Sequence, residues 1–139
     1  MAEDCVFCRI ARNEEHASFI YKDEGVVAFL DARPVNEGHA LVVPRKHYEN
    51  IFEIPDDELA DLFKAVKKVA AAIMVAERAE GLRIVQNNGS AAHQIVFHLH
   101  VHIIPEYEGW DPRLPRPRAN PERSELDKVA AKIRKFLGE

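Results

Sequence analysis

The sequence predicts an α+β domain, a mostly antiparallel five-stranded sheet with one long and one C-terminal helix. Three observations lead there. Short segments of strand character outnumber segments of helical length, and hairpin-like connections join them. One segment of helical length carries apolar residues at i, i+3, i+4 and i+7. A second amphipathic segment closes the chain after a proline-rich stretch.

The elements follow in order. Val6–Arg12 reads as a short helix closed by the polar Asn13, Glu14 and Glu15. Ser18–Tyr21 and Val26–Leu30 read as two strands joined around Asp23, Glu24 and Gly25, with the glycine expected at positive φ. Asp31–Gly38, punctuated by Pro34, Asn36 and Gly38, is a loop, and Ala40–Val43 is a third strand ended by Pro44. A long helix is expected from Pro55 to Arg78. Pro55 suits its first turn and Asp56, Asp57 and Glu58 suit its positive end. Leu59, Leu62, Phe63, Val66, Ala70, Ile73 and Met74 form its apolar stripe, with Gly81 as the stop signal. Arg83–Gln86 is a fourth strand, residues 87–92 a polar loop, and Ile95–Ile104 the fifth and longest strand. Residues 109–121, with Pro112, Pro115, Pro117 and Pro121, form an irregular arm. A last helix over 124–137, capped by Ser124, turns Leu126, Val129, Ile133 and Phe136 or Leu137 inward. Residues 1–139 are expected to form a single domain whose core spans about 5–105.

Composition narrows the classes. Hydrophobic residues at 47% and charged residues at 30% describe an ordinary globular protein. A formal net charge of −4 argues against a surface that coats nucleic-acid polymers, though not against a pocket for a small anion. No apolar run approaches the roughly 20 residues needed to cross a bilayer. The acidic start Met-Ala-Glu-Asp lacks signal-peptide character, so a cytoplasmic location without membrane association is expected. The two cysteines, Cys5 and Cys8, form a C-x-x-C pair. In a reducing compartment that spacing means a metal pair, a redox dithiol, or two small buried thiols.

His98, His100 and His102 alternate with Phe97, Leu99, Val101 and Ile103 inside the apolar run. In a strand this puts three imidazoles on one face and an apolar backing on the other. Solvent-facing histidines are one reading, a three-histidine metal site another, and nucleophilic catalysis with neighbouring imidazoles on anionic oxygens a third. Positions i and i+4 of one strand lie about 13–14 Å apart, which works against a single ion held by all three.

The block Asn87-Asn88-Gly89-Ser90-Ala91-Ala92-His93-Gln94-Ile95-Val96-Phe97-His98-Leu99-His100-Val101-His102-Ile103-Ile104-Pro105 resembles the signature of the histidine triad (HIT) family of nucleotide hydrolases and transferases. Ala28–Pro34, followed by Gly38–His47, is similar to that family's N-terminal half in order and spacing. The resemblance covers Cys5 to Pro105 and implies a HIT-like fold within the α+β class.

The resemblance also implies roles. His100 would attack the α-phosphorus of a purine nucleotide conjugate, a nucleoside phosphoramidate or a dinucleoside polyphosphate, and form a nucleotidyl-histidine intermediate. Neutral imidazole is a competent nucleophile, and phosphoryl transfer mainly needs positioning and donors for its oxygens. His102 would contact the phosphate and the bridging oxygen. Backbone amides around Gln94 and Val96 would hold the α-phosphate, with side-chain contacts from Gln94 and Asn87. Asp31 would accept from the ribose hydroxyls, and Phe29 with Phe7 would pack on the base. Without the resemblance, Asp31 reads as a turn-capping residue and His39 as a buried, hydrogen-bonded histidine. In one branch of the family a structural zinc is held by positions that fall here on Cys5, Cys8, His47 and His98, a closed Cys₂His₂ set. Two departures from the family pattern bear on the leaving group: Ile95 stands where some members have a hydroxyl residue, and His93 where glycine is common. The resemblance further implies a homodimer paired through the long helix and a strand edge. A non-catalytic nucleotide-binding or sensing module and a zinc-dependent hydrolase are the alternative functions.

Overall fold

The computed structural model describes residues 4–138. The chain folds in the order α1 (Val6–Ala11), β1 (Phe19–Lys22), β2 (Val26–Leu30), β3 (Ala40–Pro44), α2 (Asp56–Ala76), β4 (Gly81–Val85), β5 (Val101–Glu106) and α3 (Arg123–Arg134). The strands form one antiparallel sheet in the order β1-β2-β3-β5-β4, leaving β1 and β4 at its edges.

Alternation along β2 and β3 explains why every residue in them is buried. Val26, Ala28, Leu30, Ala40 and Val42 face α2 and α3, in a core shared with Leu99, Val101 and Ile103. Val27, Phe29, Leu41 and Val43 face the other way and are covered by Cys5, Phe7, Cys8, Ile10 and Ala11 around α1. His102 pairs with Leu41 in the β3–β5 ladder, so it stands on this second face.

Several local expectations are corrected. β5 begins at Val101, not Ile95. Continuing its register would set Leu99 opposite Pro44, which has no N–H for the ladder, and the Leu99 N–H donates instead to the Tyr48 carbonyl at 2.7 Å. Freed from the sheet, Ile95 is 82% exposed, and Phe97 also faces solvent rather than the core. Gly25 does not take a positive φ. The Asp23 carboxylate closes that turn by accepting from the Gly25 and Val26 N–H groups at 2.9 and 2.7 Å.

Helix ends differ too. Pro55 is the N-cap of α2, outside the helix, and the helix stops at Ala76 before Arg78 takes a positive φ. Gly81 opens β4 instead of ending the helix. Phe63 lies on the solvent side of α2, and Ala65, Val69 and Ala72 complete its buried stripe. Glu122, not Ser124, caps α3, in a reciprocal capping box with Glu125. At the C-terminus Leu137 packs on the core and Phe136 is exposed.

The segment between β5 and α3 folds back over the sheet. Glu106, buried at the end of β5, accepts two bonds from the Arg116 guanidinium at 2.8 and 3.0 Å and one from Arg83 Nε at 3.0 Å. The Arg83 and Arg116 guanidiniums each lie 4.6 Å from a ring centroid of the Trp110 indole. α3 then docks on β1, where Ser18 donates to Asp127 at 2.7 Å and accepts from Arg123 at 2.8 Å.

Ile133 is fully buried beneath α3. Ile133→Ala should cost about 2–5 kcal/mol in denaturant unfolding, whereas Phe136→Ala should change stability by about 0.5 kcal/mol or less.

Candidate functional site

The residues around the histidine row divide into three arrangements. The first gathers Cys5, Cys8, His47 and His98. Cys5 caps α1, its sulfur accepting from the Cys8 N–H, so the first turn of that helix brings both thiols to one place. His98 Nδ1 lies 3.4 Å from each sulfur and 3.2 Å from His47 Nδ1, which is 3.3 Å from Cys8 Sγ. All four donor atoms lie within 4.8 Å of one another. His98 Nε2 donates to the Pro44 carbonyl at 2.8 Å, which leaves a bare lone pair on Nδ1 facing the sulfurs. Ligand–ligand edges of a tetrahedral zinc site with these donors are about 3.3–3.8 Å, from the usual zinc–nitrogen and zinc–sulfur lengths. The donor set and its spacing fit such an ion. Burial pushes the Cys8 thiol up to about 11, with Cys5 adding to the shift, so a cation is what this environment needs to hold thiolates.

The second arrangement sets the protonation of His100. Its Nδ1 donates to the His98 carbonyl at 2.7 Å, leaving the lone pair on Nε2. Burial lowers its pKa below the usual histidine value, so the ring is neutral at pH 7. Phe7 packs edge-on against it, with ring centroids 5.1 Å apart, and Phe7 in turn meets Phe29 at 5.6 Å.

The third arrangement sets His102. The Val35 N–H donates to His39 Nδ1 at 3.0 Å, so the neutral ring carries its proton on Nε2. That nitrogen lies 2.9 Å from His102 Nδ1 and 3.5 Å from Asp31 Oδ2. His102 therefore accepts on Nδ1 and keeps its own proton on Nε2. Burial lowers His39 to about 3 and His102 to about 4. Asp31, His39 and His102 are close enough to be read as a metal set. The Val35 bond and the Arg118 guanidinium, 2.7 Å from Asp31 Oδ2, favour a hydrogen-bonded relay instead.

A cleft of about 810 Å³ opens over His100 and His102 on the α1 side of the sheet. Of the residues singled out in the sequence, Phe29, Asp31, Asn87, His93, Ile95 and Val96 line it. His93 enters it from a left-handed backbone position, φ 69°. Gln94 does not reach it. Its amide is buried, accepting from the Gly89 N–H at 2.7 Å and donating to the Glu49 and Val96 carbonyls, while its N–H bonds the Gly89 carbonyl. Gln94 shapes the loop and offers no side-chain contact to the cleft. The sequence also left out Arg33, Arg118 and Arg123, which line the same cleft. The Arg-Pro-Arg run at 116–118 was a signal of charge, but nothing local told where it would land.

Residues 12–109 match the HIT domain family. The chain belongs to the HIT family. It is 51% identical over 105 residues to an uncharacterized HIT-like protein of Methanocaldococcus jannaschii, covering 76% of this chain and 81% of that one. An adenosine 5'-monophosphoramidase of Candida albicans is 32% identical over 96% of this chain and 91% of its own. An adenylylsulfatase of Arabidopsis thaliana is 37% identical over 78% of this chain, which spans 55% of that longer protein. Among solved structures, a histidine triad nucleotide-binding protein of Sulfolobus tokodaii superposes with a TM-score of 0.89 at 43% identity, covering 96% of this chain and 92% of that one. A zinc-bound histidine triad protein of Mycobacterium smegmatis gives 0.86 at 32%, covering 99% and 96%. This HIT chain thus has the family's α+β fold, and no helix among the described residues is long and apolar enough to cross a membrane.

The depressed histidines fix a pH dependence of stability. In the unfolded chain His39 and His102 take up protons near 6.5, while in the folded chain they do so only at about 3 and about 4. Below pH 6.5 the unfolded state therefore binds more protons, and stability falls as pH falls. The melting temperature should drop progressively from pH 7 to pH 5. His39→Asn should flatten that slope in the same scan.

Proposed function

We propose that this HIT protein is a hydrolase or transferase of purine nucleotide conjugates, acting at the α-phosphate through a nucleotidyl-histidine intermediate on His100. The observation that carries this reading is the tautomer of His100: its Nδ1–H is held by the His98 carbonyl, so the Nε2 lone pair belongs to a ring lining the cleft. His100 Nε2 attacks phosphorus, the bond to the leaving group breaks, and the leaving group departs with the bonding electrons. His102, whose remaining proton sits on Nε2, donates to the phosphate and bridging oxygens. Water or another acceptor then takes the nucleotidyl group and regenerates the imidazole. Phe7 and Phe29 supply apolar faces for the base, Asp31 accepts from the ribose, and Asn87, His93 and the backbone around Ile95 and Val96 meet the phosphate.

Zinc is the proposed occupant of the Cys5, Cys8, His47 and His98 set, one ion per chain, in a structural role. Bound there, it neutralises the thiolates and ties α1 to the segment carrying His100. The relatives named for phosphoramidate and adenylyl sulfate support a nucleotide conjugate as substrate class.

Adenosine phosphoramidate and a dinucleoside polyphosphate are the substrates to test. His100→Ala should reduce turnover by a factor on the order of 10³ or more while keeping one zinc per chain by elemental analysis. Zinc loss in that variant would favour a metal-dependent hydrolase. Binding of AMP by wild type without turnover of either substrate would favour a sensing module. Cys5→Ser should lose the metal and several kcal/mol of stability.

We also propose a homodimer through β4 and α2. β4 is a sheet edge with unpaired backbone groups, and Ile84 on it is 48% exposed. Ile84 pairs with Ile103 in the ladder and so faces the side of the sheet that carries α2, where Val75 is 59% exposed. Ile84→Lys should halve the mass measured by sedimentation; an unchanged mass would remove this interface.

A further inference from the structure

We propose that the ribose end of the cleft is built for an anionic ribose, one whose 2'- or 3'-hydroxyl carries a phosphate, and that Arg118 is the residue that selects it. This inference rests on the reading of the cleft as a nucleotide site with Asp31 at the ribose. A lone carboxylate beside ribose hydroxyls favours free hydroxyls and repels a phosphate there, whereas a neighbouring arginine accommodates it.

Asp31 is not a lone carboxylate. Its Oδ2 accepts from Arg118 Nη2 at 2.7 Å, and its Oδ1 accepts from the Arg33 N–H at 2.9 Å. The guanidinium comes from the far side of the sequence, on the returning segment after β5, and it is held in place. Arg118 Nε also bonds the Arg33 carbonyl, the Ala119 N–H bonds the Pro34 carbonyl at 2.9 Å, and Arg33 Nε bonds the Ala119 carbonyl at 3.2 Å. Four hydrogen bonds thus lock this segment against the loop after β2.

Two further guanidiniums line the same cleft without a carboxylate partner among the described residues. Among those residues the Arg33 guanidinium bonds only the Ala119 carbonyl, and the Arg123 guanidinium only the Ser18 hydroxyl at 2.8 Å. The carboxylates of the lining are Asp31 and Glu15, and Glu15 lies 3.9 Å from Arg9. The cleft mouth is therefore locally cationic in a chain whose net charge is −4. A single phosphate at the active histidines does not account for a guanidinium at Asp31 with two more lining the same cleft. A second anion on the ribose does, since a guanidinium already turned toward a carboxylate is oriented to bond phosphate oxygens in the same plane.

Calorimetry with AMP, adenosine 2',5'-bisphosphate and adenosine 3',5'-bisphosphate tests this without requiring turnover. Wild type should bind at least one bisphosphate about threefold or more tighter than AMP, with the margin shrinking as salt is raised. The comparison of the two isomers identifies which hydroxyl is read. In Arg118→Met the ratio of bisphosphate to AMP affinity should fall about tenfold, and Arg118→Lys should restore part of it. Weaker binding of both bisphosphates than of AMP by wild type would overturn the inference while leaving the nucleotide reading intact. So would an unchanged ratio in Arg118→Met with the melting temperature preserved. Failure of wild type to bind AMP at all would remove the nucleotide reading and this inference with it.

Discussion

His98 is the junction on which the site depends. Its Nε2–H donates to the carbonyl of Pro44, its Nδ1 meets Cys5, Cys8 and His47, and its own carbonyl accepts a hydrogen bond from the Nδ1–H of His100. One residue therefore links the end of β3, the short N-terminal helix and the proposed nucleophile. The junction exists because Pro44 cannot donate to the ladder, which releases the chain before Val101 from strand geometry. A regular strand through His98 would have kept the three rings in a row.

The result is three histidines with three distinct surroundings. His98 is fully buried between sulfurs and a carbonyl, His100 is held as the Nδ1–H tautomer with its lone pair on Nε2, and His102 is held as the Nε2–H tautomer by His39. Burial keeps all of them neutral, because charging any one would place an imidazolium among other desolvated rings. His39 joins this system through the Val35 N–H, so a backbone amide in the loop after β2 decides which nitrogen of His102 carries its proton. It is both the buried, hydrogen-bonded histidine that its residue type allows and a part of the site's proton order.

Much of the fold was legible because it rests on local signals. β2 and β3 are apolar runs bounded by turn residues, and α2 announces itself through a long stripe and an acidic first turn. The misses were places where two local signals competed. Gly25 suggested a positive φ, yet Asp23 made the turn with its side chain. Ser124 suggested a cap, yet Glu122 and Glu125 formed a reciprocal pair before it. Phe97 fitted an alternating strand that tertiary pairing did not continue. The site followed the same division. Cys5 and Cys8 share a helical turn and were readable as a pair, whereas Gln94 looked like a ligand contact and is consumed by the loop it braces.

By itself the sequence determined the α+β class, the helical and strand periods, and the residue types able to do chemistry near neutral pH. Periodicity and side-chain chemistry are properties of near neighbours, and near neighbours are what a sequence records. Only the tertiary structure decided which nitrogen of each histidine carries a proton, since that depends on carbonyls and amides brought in from Pro44, Val35 and the backbone of His98 itself. It also decided the electrostatics of the cleft. Arg118 reaches Asp31 across 87 positions of sequence, and no local pattern specifies a contact whose geometry is set by how a returning segment packs on the sheet.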